Sequence, residues 1–359
     1  MSSETTTTQA SKPIGVWLLL CCLAIYGMVV LGGVTRLTGS GLSMVEWHPV
    51  MGILPPLDAG QWEEAFALYR QSPEYLKINY HMSVEDFKGI FWFEYAHRIL
   101  GRLIGLIFLL PLIYFMIKRR IDKTLIPKLG AMFVLGGLQG LMGWYMVKSG
   151  LAHDPHVSQY RLTAHLGLAL FLYAWIFWTA LDLLVPIRRS LSTGVGRGFR
   201  RLAWAVAGLV MFTALSGGFV AGLKAGLAYN TFPLMAGRII PDGLFTLSPA
   251  WSNLFENVTT VQFDHRLLAT LLFIMIPWLW LMGRKTALPR NAQIGLHLLV
   301  LALFVQIALG ISTLLLVVPV PLASTHQAGA LVVITLALFV CHQMRGELIA
   351  LRPEKNTAL

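Results

Sequence analysis

Four histidines, His97, His165, His265 and His326, lie inside apolar runs of the chain. An ionisable ring within a membrane-spanning segment costs free energy unless something compensates, so each marks a candidate functional site. Read on helices, the four lie about four to six residues inside one end of their runs, or roughly 6 to 9 Å at helical rise. One imidazole from each of two helices at equal depth gives a haem iron two axial nitrogens, and four make two such pairs. Any one alone is as readily a hydrogen-bonded packing residue; the repeated depth favours ligation. A zinc site needs three or four close protein ligands, and no Cys or second His follows any of the four at helical spacing. His48, His81, His153, His156, His297 and His342 are assigned to loops, helix surfaces or membrane edges, with His297 in packing.

Glu94 precedes His97 by one helical turn, which puts both side chains on one face. A buried carboxylate beside a haem is a candidate general acid or base; its alternative role is a helix N-terminal contact at the membrane surface. The residue at the same place before His265 is the neutral Gln262. The two sites therefore differ chemically, and the reading is that the first carries out a reaction while the second holds a haem for electron transfer. Arg98 and Arg266, each following its histidine, are candidates to pair with haem propionates or to snorkel to the interface.

These residues need helices to hold them. The chain has 359 residues, 56% hydrophobic and 13% charged, far fewer charges than a soluble domain carries. Apolar windows at about 14–34, 91–117, 127–147, 162–185, 202–223, 261–283, 292–318 and 322–343 each approach bilayer length. The fold class is an all-α membrane protein of eight transmembrane helices, with Pro319 and Pro321 marking a tight turn between the last two.

A net charge of +11 would suggest nucleic acid on a soluble domain, but here the basic residues sit between spans. Lys118, Arg119, Arg120, Lys123 and Lys128, then Arg188, Arg189, Arg197, Arg200 and Arg201, then Arg284, Lys285 and Arg290, with Arg345, Arg352 and Lys355 in the tail, all fall on one side. The positive-inside rule places both termini in the cytoplasm and the four histidines toward the opposite, periplasmic side. Cys21, Cys22 and Cys341 lie within apolar runs, so no loop holds a disulfide pair. The polar, arginine-free first residues argue against a mitochondrial transit peptide, and the first span is read as a retained helix rather than a signal peptide; a bacterial inner membrane is the expected location. Two outer loops are long. The first, about 35–90, holds Trp47, Pro55-Pro56 and QWEEAFALYR, a short amphipathic helix at the interface; the second, about 224–260, is rich in Gly, Pro and Asn.

The halves repeat. LGGVTRLTGSGL at 31–42 aligns with SGGFVAGLKAGL at 216–227, pairing Gly33 with Gly218 and Gly41 with Gly226. His97-Arg98 aligns with His265-Arg266, Gln139 and Gly143 with Gln306 and Gly310, and His165 with His326. Four spans in each half make the repeat parallel. It predicts two pseudo-symmetric four-helix bundles, 1–190 and 191–359, each carrying its own site. Gly136-Gly137 and Gly217-Gly218 are expected to let helices approach closely.

The E-Y-A-H-R of the second span, the lone His of the fourth, D-H-R of the sixth and S-T-H-Q-A of the eighth resemble the haem A synthase family, from Gly32-Gly33 through Gly329. The long first loop and the lack of loop cysteines resemble its proteobacterial and mitochondrial branch. The resemblance implies oxidation of the C8 methyl of haem O to a formyl group, through an alcohol and a hydrate. It implies that His97 and His165 hold the substrate haem with Glu94 assisting, and that His265 and His326 ligate a permanent haem b. It further implies a haem O synthase or cytochrome oxidase assembly factors as partners; the electron donor is not identified. A di-haem b-type cytochrome for electron transfer is the alternative, weakened because all four ligands lie near one face.

Overall fold

The computed structural model describes residues 3–46, 53–151, 155–185 and 196–345, with side chains of the first helix from residue 12 onward. Trp47, His48, His153, Arg188, Arg189, Arg352, Lys355 and the division at 190–191 lie outside the described residues. The helices in chain order are α1 (Ser3–Leu37), α2 (Ala59–Tyr69), α3 (Val84–Ile117), α4 (Ile126–Gly150), α5 (Gln159–Leu184), α6 (Arg197–Gly222), α7 (Asn253–Glu256), α8 (Val258–Arg284), α9 (Arg290–Leu315) and α10 (Val320–Gln343). All but α2 and α7 are long and apolar enough to cross a membrane, which makes eight candidate spans among the described residues.

Sequence punctuation sets their ends. Asp58 caps α2 by accepting from the N–H of Gln61, Asn257 caps α8 by accepting from Thr260, and Ser83 with Asp86 forms a full capping box on α3, each satisfying N–H groups the helix leaves unpaired. The capping box is why α3 begins well before the apolar window at 91. Between α9 and α10 the chain reverses within four residues, and Val317 and Val318 adopt φ of 61° and 59°, a left-handed conformation that β-branched residues resist. Val318 N–H donates to Thr313 at 2.8 Å, holding that turn closed ahead of Pro319.

α1, α3, α4 and α5 touch in a closed ring, and so do α6, α8, α9 and α10. The rings meet where α1 and α5 pack on α6 and α10. The continuous core runs through this seam, from Ile14, Leu18 and Cys22 of α1 through Leu170 and Tyr173 of α5 to Val206 of α6 and Ile334 of α10. Cys21, Cys22 and Cys341 are free thiols within it. Close packing rather than the hydrophobic effect holds helices together in lipid. A Cβ on Gly222 would fall 2.6 Å from the Cα of Gln159, so a larger residue there would force α5 and α6 apart. Gly218 of α6 likewise meets Thr163 and Leu166 of α5, whereas Gly136 and Gly137 of α4 face open space. The expectation of close approach at that second glycine pair is therefore corrected: α4 turns that side away from its neighbours.

The first outer loop packs on the extension of α3. The helix expected in QWEEAFALYR forms as α2, and its apolar side packs on α3. Trp62, Phe66 and Tyr69 stack with Phe87 and Phe91 of α3. The second loop is ordered by amides. Asn253 pairs with both N–H and carbonyl of Leu247, and Asn257 donates to Gly243 and Thr246, replacing backbone partners that an irregular segment lacks.

Candidate functional site

The four histidines read from the sequence as candidate ligands lie in α3, α5, α8 and α10. His165, His265 and His326 lie about two turns from the start of their helices; His97 lies between three and four turns from the start of the extended α3. Each ring rests on a glycine of a neighbouring helix. A Cβ on Gly32 would stand 2.9 Å from Cε1 of His97, on Gly143 3.1 Å from His165, on Gly217 3.4 Å from His265 and on Gly310 2.8 Å from His326. At Gly32 and Gly310 a Cβ would displace the ring, at Gly143 it would crowd it and at Gly217 it would just touch it, and each imidazole stays half-buried rather than sealed. His97 lies within electrostatic reach of His165, and His265 within reach of His326.

A glutamine steadies one histidine in each ring of helices. Gln139 Nε2 donates to the carbonyl of His165 at 3.0 Å and lies 3.4 Å from its Nε2. Gln306 Nε2 donates to the carbonyl of His326 at 2.8 Å and lies 3.2 Å from its Nδ1. These are the two glutamines paired by the sequence repeat.

The arginines repeat as closely. Arg98 donates from Nη2 to the carbonyl of Met44 and from Nη1 to that of Glu46, at 2.7 and 2.9 Å. Arg266 donates from Nη2 to Tyr229 and from Nη1 to Thr231, at 2.8 and 3.0 Å. The alignment that pairs Gly41 with Gly226 also pairs Met44 with Tyr229 and Glu46 with Thr231. Each arginine thus fastens the outer loop of its own half over the helix that carries its histidine. The Arg98 side chain is only 8% exposed, so it does not snorkel.

The chemistry differs one turn before each arginine. Glu94 is 3% exposed. Its Oε1 accepts from Arg98 at 2.5 and 3.0 Å, and its Oε2 accepts from the Ser43 hydroxyl and the Met44 N–H, both at 2.7 Å. It sits eleven residues into α3 rather than at its N-terminus. Gln262 donates to Tyr229 at 3.0 Å, and its buried Oε1 has no hydrogen-bond partner among the described residues. The sequence pointed to Glu94 but not to Ser43, whose place on the carboxylate depends on how the loop folds back. A second contrast was also not foreseen. Ser216 donates to Thr213 at 2.8 Å, so its oxygen is free to accept from Nδ1 of His265, 2.7 Å away; the buried Nδ1 atoms of His97 and His165 have no such partner among the described residues.

Beyond Glu94 lies a further carboxylate. Glu74 is buried and accepts from the Tyr69 hydroxyl at 3.1 Å, while Tyr69 accepts from Asn79 at 2.7 Å. Burial pushes its pKa up to about 7, with the Glu94 charge adding to the shift and the Tyr69 hydrogen bond and Arg36 opposing it. At the other end of the spans His342 is not at a surface: it is 2% exposed, bonded to Asp182 of α5 at 3.1 Å and set against Trp178. His297 is exposed and bonded to the Gln293 carbonyl at 2.6 Å.

The donors suit a porphyrin. Each histidine offers a single, partly open imidazole from its own helix, on a cradle a Cβ would fill. Among the described residues no three His, Cys, Asp or Glu side chains gather into a metal-ion cage.

Residues 15–338 match the COX15-CtaA family, described as cytochrome oxidase assembly protein. The chain is 57% identical over 337 residues to the Heme A synthase of Nitrosospira multiformis, covering 94% of each, and 53% identical to that of Nitrosomonas eutropha, covering 94% of this chain and 95% of the relative. It is 48% identical to the Heme A synthase COX15 of Homo sapiens, covering 94% of this chain and 83% of the relative. With its histidines set in this frame and its likeness running end to end, the chain belongs to the haem A synthase family.

Proposed function

We propose that the chain oxidises haem O to haem A, holding the substrate haem between His97 and His165 and a resident haem b between His265 and His326. The observation that carries this reading is the repetition of one frame, a half-buried imidazole on a glycine with its loop fastened by an arginine, in two sets of helices of which, among the described residues, only the first has a buried carboxylate. The two sets are read as pseudo-symmetric four-helix bundles, within 1–190 and 191–359, because the helices of each touch in the same cyclic order.

Haem iron supplies the oxidising chemistry when bound, and the chain supplies position and charge. In the first bundle Glu94 is the acid–base group, with Ser43 and Arg98 fixing its carboxylate. Arg98 and Arg266 hold each outer loop through its carbonyls and are the candidates to pair with haem propionates. In the second bundle Ser216 fixes the ring of His265 with Nδ1 protonated, leaving Nε2 as the coordinating nitrogen. The bare Nδ1 atoms of His97 and His165 suit a haem that must enter and leave.

The basic segments support a bacterial inner-membrane protein with both termini cytoplasmic and the histidines toward the periplasm. Haem O synthase and cytochrome oxidase assembly factors are the partners that fit its substrate and product.

Extraction and chromatography of the pigments from purified protein test the reading. Haem O or haem A beside haem b is expected; haem b alone in two copies per chain would make it a di-haem electron carrier instead. His265→Ala should abolish the resident haem b spectrum, and His97→Ala should stop haem A formation while leaving that spectrum. The reverse pattern would exchange the two sites.

A further inference from the structure

We propose that a cavity between the facing ends of α8 and α9 binds the headgroup of an anionic glycerophospholipid. The cavity, about 230 Å³, opens between the helices and is lined by Trp280, Gly283, Arg284, Gln293, Leu296 and His297. Fifteen residues of α8, or about 22 Å at helical rise, separate Trp280 from His265, so the cavity is no part of the haem sites.

Its polar groups call for an anion that also carries a hydroxyl. The Trp280 ring forms one wall of the cavity. Arg284 lies over the Trp280 ring, 5.1 Å from its centroid, and brings a cation to the rim. α9 begins beside it behind Pro289, which offers no side-chain cap, so the positive end of a 26-residue helix points to the same place. His297 Nδ1 lies 2.6 Å from the Gln293 carbonyl. A carbonyl only accepts, so Nδ1 carries a proton and Nε2 is the nitrogen left for a ligand. Arg284 would take the phosphodiester, and His297 a glycerol hydroxyl.

The surroundings select a lipid over a free anion. Leu281 of α8 and Ile294 and Leu298 of α9, each next in sequence to a lining residue, are exposed apolar residues on which acyl chains can lie. Basic pockets between transmembrane helices are recurrent sites for anionic lipid headgroups.

The test is native mass spectrometry of the purified, haem-loaded full chain in detergent, titrated with phosphatidylglycerol or phosphatidylcholine. Phosphatidylglycerol should be retained at least about fivefold more tightly. Arg284→Gln, a change at an exposed position, should lower its retention by about five- to tenfold. Equal retention of the two lipids, or unchanged retention in Arg284→Gln, would overturn the proposal. Displacement by inorganic phosphate at matched concentration would assign the site to a free anion and overturn the lipid.

Discussion

The neighbourhoods of His97 and His265 are built alike and charged differently. Both rings rest on the first glycine of a Gly-Gly pair, and both are followed by an arginine that grips two carbonyls of an outer loop. At His97 the loop is also drawn down by a carboxylate, Glu94, which takes an N–H and a hydroxyl from residues 43 and 44. At His265 the same place holds Gln262, and the added hydrogen bond goes to the ring itself through Ser216. Such a frame can be copied without copying its chemistry: one half invests its polar groups in the loop beside the ring, the other in the ring. The proposed exchange of haem in the first half and retention in the second rest on this difference.

Making the first half resemble the second should have the largest effect. Glu94→Gln keeps the shape of the side chain and two of its acceptor sites but removes its charge and its proton exchange. Haem A formation is expected to fall by at least about 100-fold, the contribution of a positioned acid or base, while the haem b spectrum persists. Chromatography of extracted pigments reads the first and reduced absorbance the second; near-normal haem A yield would remove the acid–base role. Arg98→Ala separates chemistry from fastening. It breaks a buried ion pair, which typically costs about 3 to 5 kcal/mol, so protease should cut the first loop readily while the second loop stays protected.

The opposite change acts on the second half alone. Ser216→Ala removes the acceptor for Nδ1 of His265. Loss of such an outer partner typically weakens a metal ligand by about 10- to 100-fold. Faster release of haem b to apomyoglobin and a shifted reduction midpoint are expected, with the occupancy of the first site unchanged. An unaltered release rate would leave Ser216 as a packing residue.

What could be read from residues alone follows this division. The spans, the four histidines and the pairing of Gln139 with Gln306 were legible because each is fixed by helical period and hydropathy, and a repeat doubles the signal. The grip of Arg98 and Arg266 on loop carbonyls was not, since a backbone acceptor has no side-chain signature; propionates were the expected partners. Ser43 and Ser216 were invisible for a related reason: a serine is common, and only the returning loop or the helix crossing gives it a partner. Glu74 lay in a loop whose acidic, aromatic composition read as interfacial. Its burial depends on α2 folding onto an extension of α3 that the hydropathy window cut off. His342 was taken for an edge residue because its place near the end of a span conceals that α5 covers it.

Glu74 offers the subtlest test of the contrast, because the buried carboxylates of the outer loops lie in the first half. Its pKa, held near 7 in the fold against an ordinary 4.5, is raised mainly by burial, so the folded loop binds the proton more tightly than the unfolded chain does. The sign follows from linkage: the stabilisation is fully present below about 4.5 and is lost as pH rises through 7. At most about 3 kcal/mol is at stake, from the shift and 1.36 kcal/mol per unit. Arg36, Tyr69 and Glu94 are the charged and titratable groups that act on it. Amide hydrogen exchange of residues 62–82 should therefore quicken between pH 5 and pH 8 after correction for intrinsic rates, while residues 243–257 keep a constant protection. Glu74→Gln, which cannot ionise, should flatten the profile of the first loop. A profile that stays steep in that variant would move the titration to another group and leave Glu74 a packing residue beneath α2.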